Sequence, residues 1–202
     1  MRDKIFWLGH ASIRIEADTV IYIDPWKVKG EPRADLILIS HAHHDHFSPG
    51  DIKKLCKKET VIVGPADCTS QLKGDVRTMA PGDAITVGAV KIEAVPAYNP
   101  HKPYHPQANR WLGFILTVEG KRIYFAGDTD LIPEMKGIRV DIAILPVGGT
   151  YTMTAAEAAQ AAALIHPEVA IPIHCGDIVG TMEDAKEFHR LTPVPVEVKT
   201  PS

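Results

Sequence analysis

The stretch Asp35-Leu36-Ile37-Leu38-Ile39-Ser40-His41-Ala42-His43-His44-Asp45-His46 decides how the rest of this chain is read. Its first half is an apolar run, Leu36–Ile39, which reads as a buried strand ending where the histidines begin. The second half follows the pattern His-x-His-x-Asp-His, with Ala42 and His44 in the variable places. Two imidazoles one residue apart can grip one cation, and the Asp-His pair that follows turns toward a second. An incidental histidine-rich surface tract would explain neither the single aspartate nor the strand that delivers the cluster. His44, in a variable place, is expected to face solvent.

Working outward, short β-rich runs alternate with turns through the first forty residues: 4–8, 12–16, 20–23 and 36–39 read as strands, with Asp18-Thr19 as a hairpin turn. Ser48-Pro49-Gly50-Asp51 offers a cap, a first-turn proline and an acid, so a helix is predicted over 49–58. A strand over 60–64 and a short helix over 66–73 follow. The middle is β-rich again, over 76–79, 84–87, 90–95, 112–118 and 122–125, and 141–146 is apolar enough to be buried on both faces. Thr154-Ala155-Ala156-Glu157 is a capping box that opens an alanine-rich helix to about Ile165. A strand over 169–173, a helix over 181–191 and a closing strand over 194–198 complete the pattern. No repeat or Pro/Gly-rich linker divides the chain, so one domain over 1–202 is expected.

Composition narrows the function. With 22 basic and 25 acidic residues among 202, there is no electrostatic case for nucleic acid as an obligatory partner. No run approaches the ~18 apolar residues of a membrane span, and the apolar segment near Met1 is too short for a secretory signal. Cys56, Cys68 and Cys175 are odd in number and widely spaced, which argues against a disulfide framework and for a reducing, cytoplasmic compartment. Cys175 reads as a buried small hydrophobe.

The motif Ser40–His46 resembles the signature of the metallo-β-lactamase-fold hydrolases. Ile21-Tyr22-Ile23-Asp24-Pro25, Ile123-Tyr124-Phe125-Ala126-Gly127-Asp128-Thr129 and Ile171-Pro172-Ile173-His174 resemble, in the right order, that family's strands ending in an aspartate, the metal-bridging aspartate and the last histidine. Trp7-Leu8-Gly9-His10-Ala11 and Gly148-Gly149-Thr150-Tyr151-Thr152-Met153 are similar to the branch containing ascorbate 6-phosphate lactonase and many uncharacterised metal-dependent hydrolases. The resemblance implies an α+β fold, a four-layer αββα sandwich.

It also implies a ligand set. His41 and His43 would bind a first metal with a third histidine from the loop 98–106, where His105 is favoured over His101. Asp45, His46 and His174 would bind a second, and Asp128 would bridge the two. Asp24 would accept a hydrogen bond from a ligand imidazole, and His10 would line the site. The loop Gly148–Met153 would border the cleft. His166 and His189, at a helix end and on an amphipathic helix, read as structural.

Two divalent cations ~3.5–4 Å apart can share a hydroxide and polarise the bond being broken. The expected reaction is therefore hydrolysis of a small anionic ester, lactone or phosphodiester, with Asp45 and Asp128 as catalytic carboxylates. Lys27, Lys102 and Arg110 lie in loops and would suit an anionic group. Nitrogen and carboxylate donors without thiolate suit zinc, and also manganese or iron. Rival readings are a redox enzyme resembling an iron dioxygenase, a ribonuclease on the same fold, and a metal-binding module without catalysis. Oligomeric state is not legible from the chain.

Overall fold

The computed structural model describes residues 1–29 and 32–202. Strands β1 (Ile5–Gly9), β2 (Ser12–Glu16), β3 (Val20–Ile23) and β4 (Ala34–Leu38) precede helix α1 (Pro49–Leu55), β5 (Cys56–Gly64), α2 (Ala66–Thr69) and β6 (Asp75–Thr78). The second half runs β7 (Ala84–Val87), β8 (Val90–Pro96), β9 (Leu112–Val118), β10 (Lys121–Phe125), β11 (Ile142–Pro146), α3 (Ala155–Ile165), β12 (Val169–Ile173) and α4 (Met182–Leu191).

Each half builds one six-stranded sheet. The first has the order β1-β2-β3-β4-β5-β6, antiparallel through β3 and parallel from β3 onward. The second has the order β12-β11-β10-β9-β8-β7, with β10, β11 and β12 parallel and the rest antiparallel.

The period-2 alternation of side chains sorts the layers. On β3 and β4, Ile21, Ile23, Leu36 and Leu38 enter the main core, which they share with Phe114, Leu116, Ile123 and Ile144 of the second sheet. Their neighbours Tyr22, Ile37 and Ile39 face the other way and pack with Ile52 and Leu55 of α1. On the far side, α3 contacts β11 and α4 contacts β12. The result is the αββα sandwich that the resemblance implied.

Several predicted boundaries move, among them the start of β5, which comes four residues earlier than residue 60. Helix α1 stops at Leu55 because Cys56 already pairs with Ala34, and Thr60 clamps the start of β5 by accepting from Lys57 N and donating to Ala34 O. Helix α2 ends at Thr69, beyond which Gln71 N donating to Cys68 O and Leu72 N donating to Thr69 O form turns only, while the Thr69 hydroxyl bonds Pro65 O and Thr78 Oγ1. The closing strand over 194–198 shrinks to a bridge between Ala170 and Val196. Pro193 and Pro195 supply no N–H, so the ladder is limited to Ala170 N donating to Pro195 O and Glu197 N donating to Ala170 O.

Register brings the strand ends to one rim. Ile23 pairs with Leu38, and Asp24 N then donates to Leu38 O, so β3 and β4 end side by side. Phe125 pairs with Ile144, and Pro146 with Ile173, which aligns the ends of β10, β11 and β12. The sheets meet there: Leu112 N donates to Ser40 O at 3.0 Å, and His174 N donates to His10 O at 2.8 Å.

Candidate metal centre

The strand-end loops collect six of the chain's ten histidines into two groups, leaving the neighbouring His44 exposed. His41, His43 and His105 form the first, and His10, His46 and His174 join Asp45 in the second. Within each group one potential ligand atom per residue lies within 4.8 Å of the others.

Hydrogen bonding fixes which nitrogen each imidazole presents. The fully buried Asp24 carboxylate accepts from Ser40 N at 2.7 Å, from the Ser40 hydroxyl at 2.5 Å and from His46 Nδ1 at 2.7 Å. The Ser40 hydrogen is thereby committed, so His41 Nδ1–H must donate to Ser40 Oγ, 2.8 Å away. Asn99 Oδ1 accepts both from His105 N at 3.0 Å and from His105 Nδ1 at 2.8 Å. In His41 and His105 this leaves the lone pair on Nε2, which in His41 faces His43 Nδ1 at 3.0 Å, and in His46 it leaves Nε2 as the nitrogen free to take a cation once its proton departs.

Asp128 stands between the groups. Its Oδ2 lies 3.2 Å from His105 Nε2, 3.0 Å from His174 Nε2 and 4.0 Å from His41 Nε2, while its Oδ1 lies 3.4 Å from His46 Nε2. Gly127 makes this placement possible: its φ is +67°, and a Cβ there would sit 2.7 Å from Leu112 O. Nε2 of His46, His105 and His174 is buried without a hydrogen-bond partner, a costly state that cations would relieve. The donor set of imidazole nitrogens and carboxylates thus fits divalent metals.

The field within the site is uneven. Burial, with His46 close by, holds His41 well below the ordinary imidazole range, and burial with His105 lowers His43. Burial also opposes charge on His46, but Asp128 and Asp24 overcome it and raise its pKa well above the usual value. Burial likewise opposes ionisation of Asp128, yet His174 and His46 hold it well below the carboxylate range. Asp45 is lowered against burial by the hydrogen bond to His10 Nε2 at 2.8 Å.

All nine residues singled out from the sequence are therefore gathered at one rim, and His105 joins the cluster while His101 is exposed and in neither group. His10 goes beyond lining the site, since it bonds Asp45 and belongs to the second group. The three loop cations are elsewhere. Lys102 is held by Asp130 Oδ1 at 2.6 Å and Thr152 O at 2.6 Å, Lys27 lies over the Trp26 ring and pairs with Asp177, and Arg110 lines a separate cavity with Asp67.

Sequence reasoning missed Trp111. Its buried ring lies 4.9 Å from those of His41 and His43 and 5.7 Å from that of His105, an apolar wall anchored by Nε1 donating to Asp67 Oδ2 at 2.8 Å. A tryptophan at the mouth of a strand carries no motif; only the fold shows what it touches. Ser40 was read as part of the motif, and its role as the link from Asp24 to His41 emerges from the hydrogen bonds.

A sequence model of the beta-lactamase superfamily domain matches residues 4–174, and the chain belongs to that family. It is 35% identical to a UPF0173 metal-dependent hydrolase of Methanopyrus kandleri, over 93% of this chain and 90% of that protein. Among solved structures, a metal-dependent hydrolase from Parabacteroides distasonis superposes with a TM-score of 0.88 at 37% identity, covering 96% of this chain and 91% of the other. A metallo hydrolase from Ignicoccus hospitalis superposes with a TM-score of 0.80 at 26% identity, covering 98% and 95%. The protein is a metal-dependent hydrolase.

Proposed function

We propose that this hydrolase works with a dinuclear centre, zinc in the first instance, with manganese or iron compatible with the same donors. His41, His43 and His105 would hold one cation, and Asp45, His46 and His174 the other, with Asp128 shared. The observation that carries this reading is Asp128, whose two oxygens face imidazoles of both groups. A carboxylate so placed offsets part of the charge of two cations, which a single cation would not require.

When bound, such cations would supply a nucleophile from water near neutral pH and a Lewis acid for the bond being cleaved. The chain's own residues do the rest. Asp45, ionised and fixed by His10, is placed to orient the attacking water. Asp24, Ser40 and Asn99 hold the imidazoles in the tautomer that offers Nε2. Trp111 excludes water behind the first group.

The substrate would be a small ester, lactone or phosphodiester whose scissile group faces the cations, carrying its own negative charge there in the phosphodiester case. The cavity over Asp128 is about 260 Å³, just below the usual range of small-molecule sites. A larger cavity of about 690 Å³ near Arg14 and Lys29 holds none of the candidate ligands. The core shared by both sheets supports the whole chain acting as one domain.

The test is elemental analysis of protein purified without added metal, beside turnover of lactone, ester and phosphodiester panels. Two equivalents of metal, and loss of both metal and turnover in Asp128→Ala, are expected. Full activity in Asp128→Ala or in metal-free protein would refute the dinuclear reading.

A further inference from the structure

The cavity over Asp128 has a floor and a rim of opposite character. Its floor carries His43, Asp45, His105 and Asp128, and its rim carries Tyr104, Tyr151 and Ile178. Tyr104 and Ile178 are each 41% exposed, although large side chains of their kind are usually covered on folding. The two tyrosine rings meet edge to face, with centroids 4.7 Å apart and planes at 88°.

This rim is built onto the floor. Tyr151 O accepts from Asn99 Nδ2 at 3.0 Å, and the other end of the same amide holds both N–H groups of His105. A single side chain thus fixes the aromatic rim relative to the candidate ligands. Lys102 supports the same segment by donating to Thr152 O and, at 3.3 Å, to Gly149 O.

Charge sets the preference. Among the described residues no lysine or arginine lines this cavity, and its remaining titratable rim group is the exposed His44. A second anionic group on the substrate would meet two phenol rings, an isoleucine and the Asp45 carboxylate. An uncharged ring or chain would gain apolar contact and an aromatic partner.

We infer that Tyr104, Tyr151 and Ile178 receive an uncharged aryl or alkyl substituent of the substrate, leaving the scissile group as the part that faces Asp128. The inference rests on the hydrolase reading above and adds what the leaving or acyl group must look like.

The experiment compares benzyl acetate with 4-carboxybenzyl acetate, and the matching methyl phosphodiesters, on metal-loaded protein. In parallel, benzyl alcohol and 4-(hydroxymethyl)benzoate are titrated into protein labelled at Tyr rings and Ile methyls, followed by NMR. The benzyl member should have the higher kcat/KM, mainly through KM. That preference should fall roughly three- to tenfold in Tyr104→Ala and in Ile178→Ser, the worth of one aromatic contact, and be retained in Tyr104→Phe. Benzyl alcohol should shift the Ile178 methyl and the Tyr104 and Tyr151 ring signals, and the benzoate should do so more weakly. Metal content measured on each variant separates a lost fold from a lost rim. Preference for the carboxylate members, or benzyl alcohol leaving all three signals in place, would overturn the inference. Metal-loaded protein that cleaves neither pair would count against the proposed function alone, because the titration still decides the rim.

Discussion

The backbone N–H of His174 donates to the carbonyl of His10 at 2.8 Å, and the two rings lie 4.1 Å apart. His10 follows the first strand of one sheet and His174 follows the last strand of the other, so this contact closes the site from both layers. Both residues have positive φ, +48° and +59°, as does Asp24 at +48°. Non-glycine residues pay for that conformation, and here three of them pay at one rim.

Removing the His10 ring should expose its role beside Asp45. In His10→Asn, which tolerates the left-handed backbone, Asp45 loses its 2.8 Å partner. Metal affinity at the second group should fall about 10–100-fold, with one equivalent of metal retained. Two equivalents bound as tightly as in the parent would refute this.

His105→Ala should lower metal content at the first group, while His101→Ala leaves it near the parent value. A crystal structure with His101 in the coordination sphere would reverse the assignment.

Asp24→Asn keeps size and backbone but gives three buried donors one acceptor oxygen in place of a carboxylate. Metal-free protein should lose roughly 1.5–3 kcal/mol, read as a lower urea midpoint at constant slope. An unchanged midpoint would mean that the Ser40 and His46 contacts contribute nothing.

Acid should empty the second group first. His46 is held protonated by Asp128 and Asp24, its pKa raised well above the ordinary value. A cation at Nε2 must displace that proton, so affinity there rises with pH and falls as acid restores the proton. His41, pushed well below the ordinary range by burial, stays neutral and leaves its group competent further into acid. Dialysis at stepwise lower pH, with metal counted at each step, should show two equivalents becoming one before none. A single concerted loss would contradict the uneven field.

Gly148→Ala should damage the centre without replacing a candidate ligand. A Cβ there would lie 2.4 Å from His174 O and 3.2 Å from His174 Nδ1. The expected cost is about 1–3 kcal/mol with reduced metal at the second group; normal metal content would show that the loop yields.

Strand ends were legible because apolar runs such as Leu36–Ile39 and Ile142–Pro146 stop at polar residues, and the family resemblance then assigned those residues to one site. What stayed hidden depends on contact between distant segments. Nothing local marks Trp111 as a wall or Asn99 as the clamp on His105, since each acts on residues brought near by the fold. The closing strand failed for a local reason that was readable, the prolines at 193 and 195, but apolar alternation outweighed it. Helix α1 was overrun because Lys57 and Lys58 suit a helix, while pairing with Ala34 decided otherwise.

The order in which the candidate ligands leave the ribosome follows from their spread between His10 and His174. His41, His43, Asp45 and His46 emerge first, and Asp128 and His174 follow on the order of ten seconds later at ordinary synthesis rates. For that interval the growing chain displays a half-set of donors with no bridging carboxylate and no second sheet. Faithful loading therefore belongs after β12 has docked beside β11 and the last imidazole is in place.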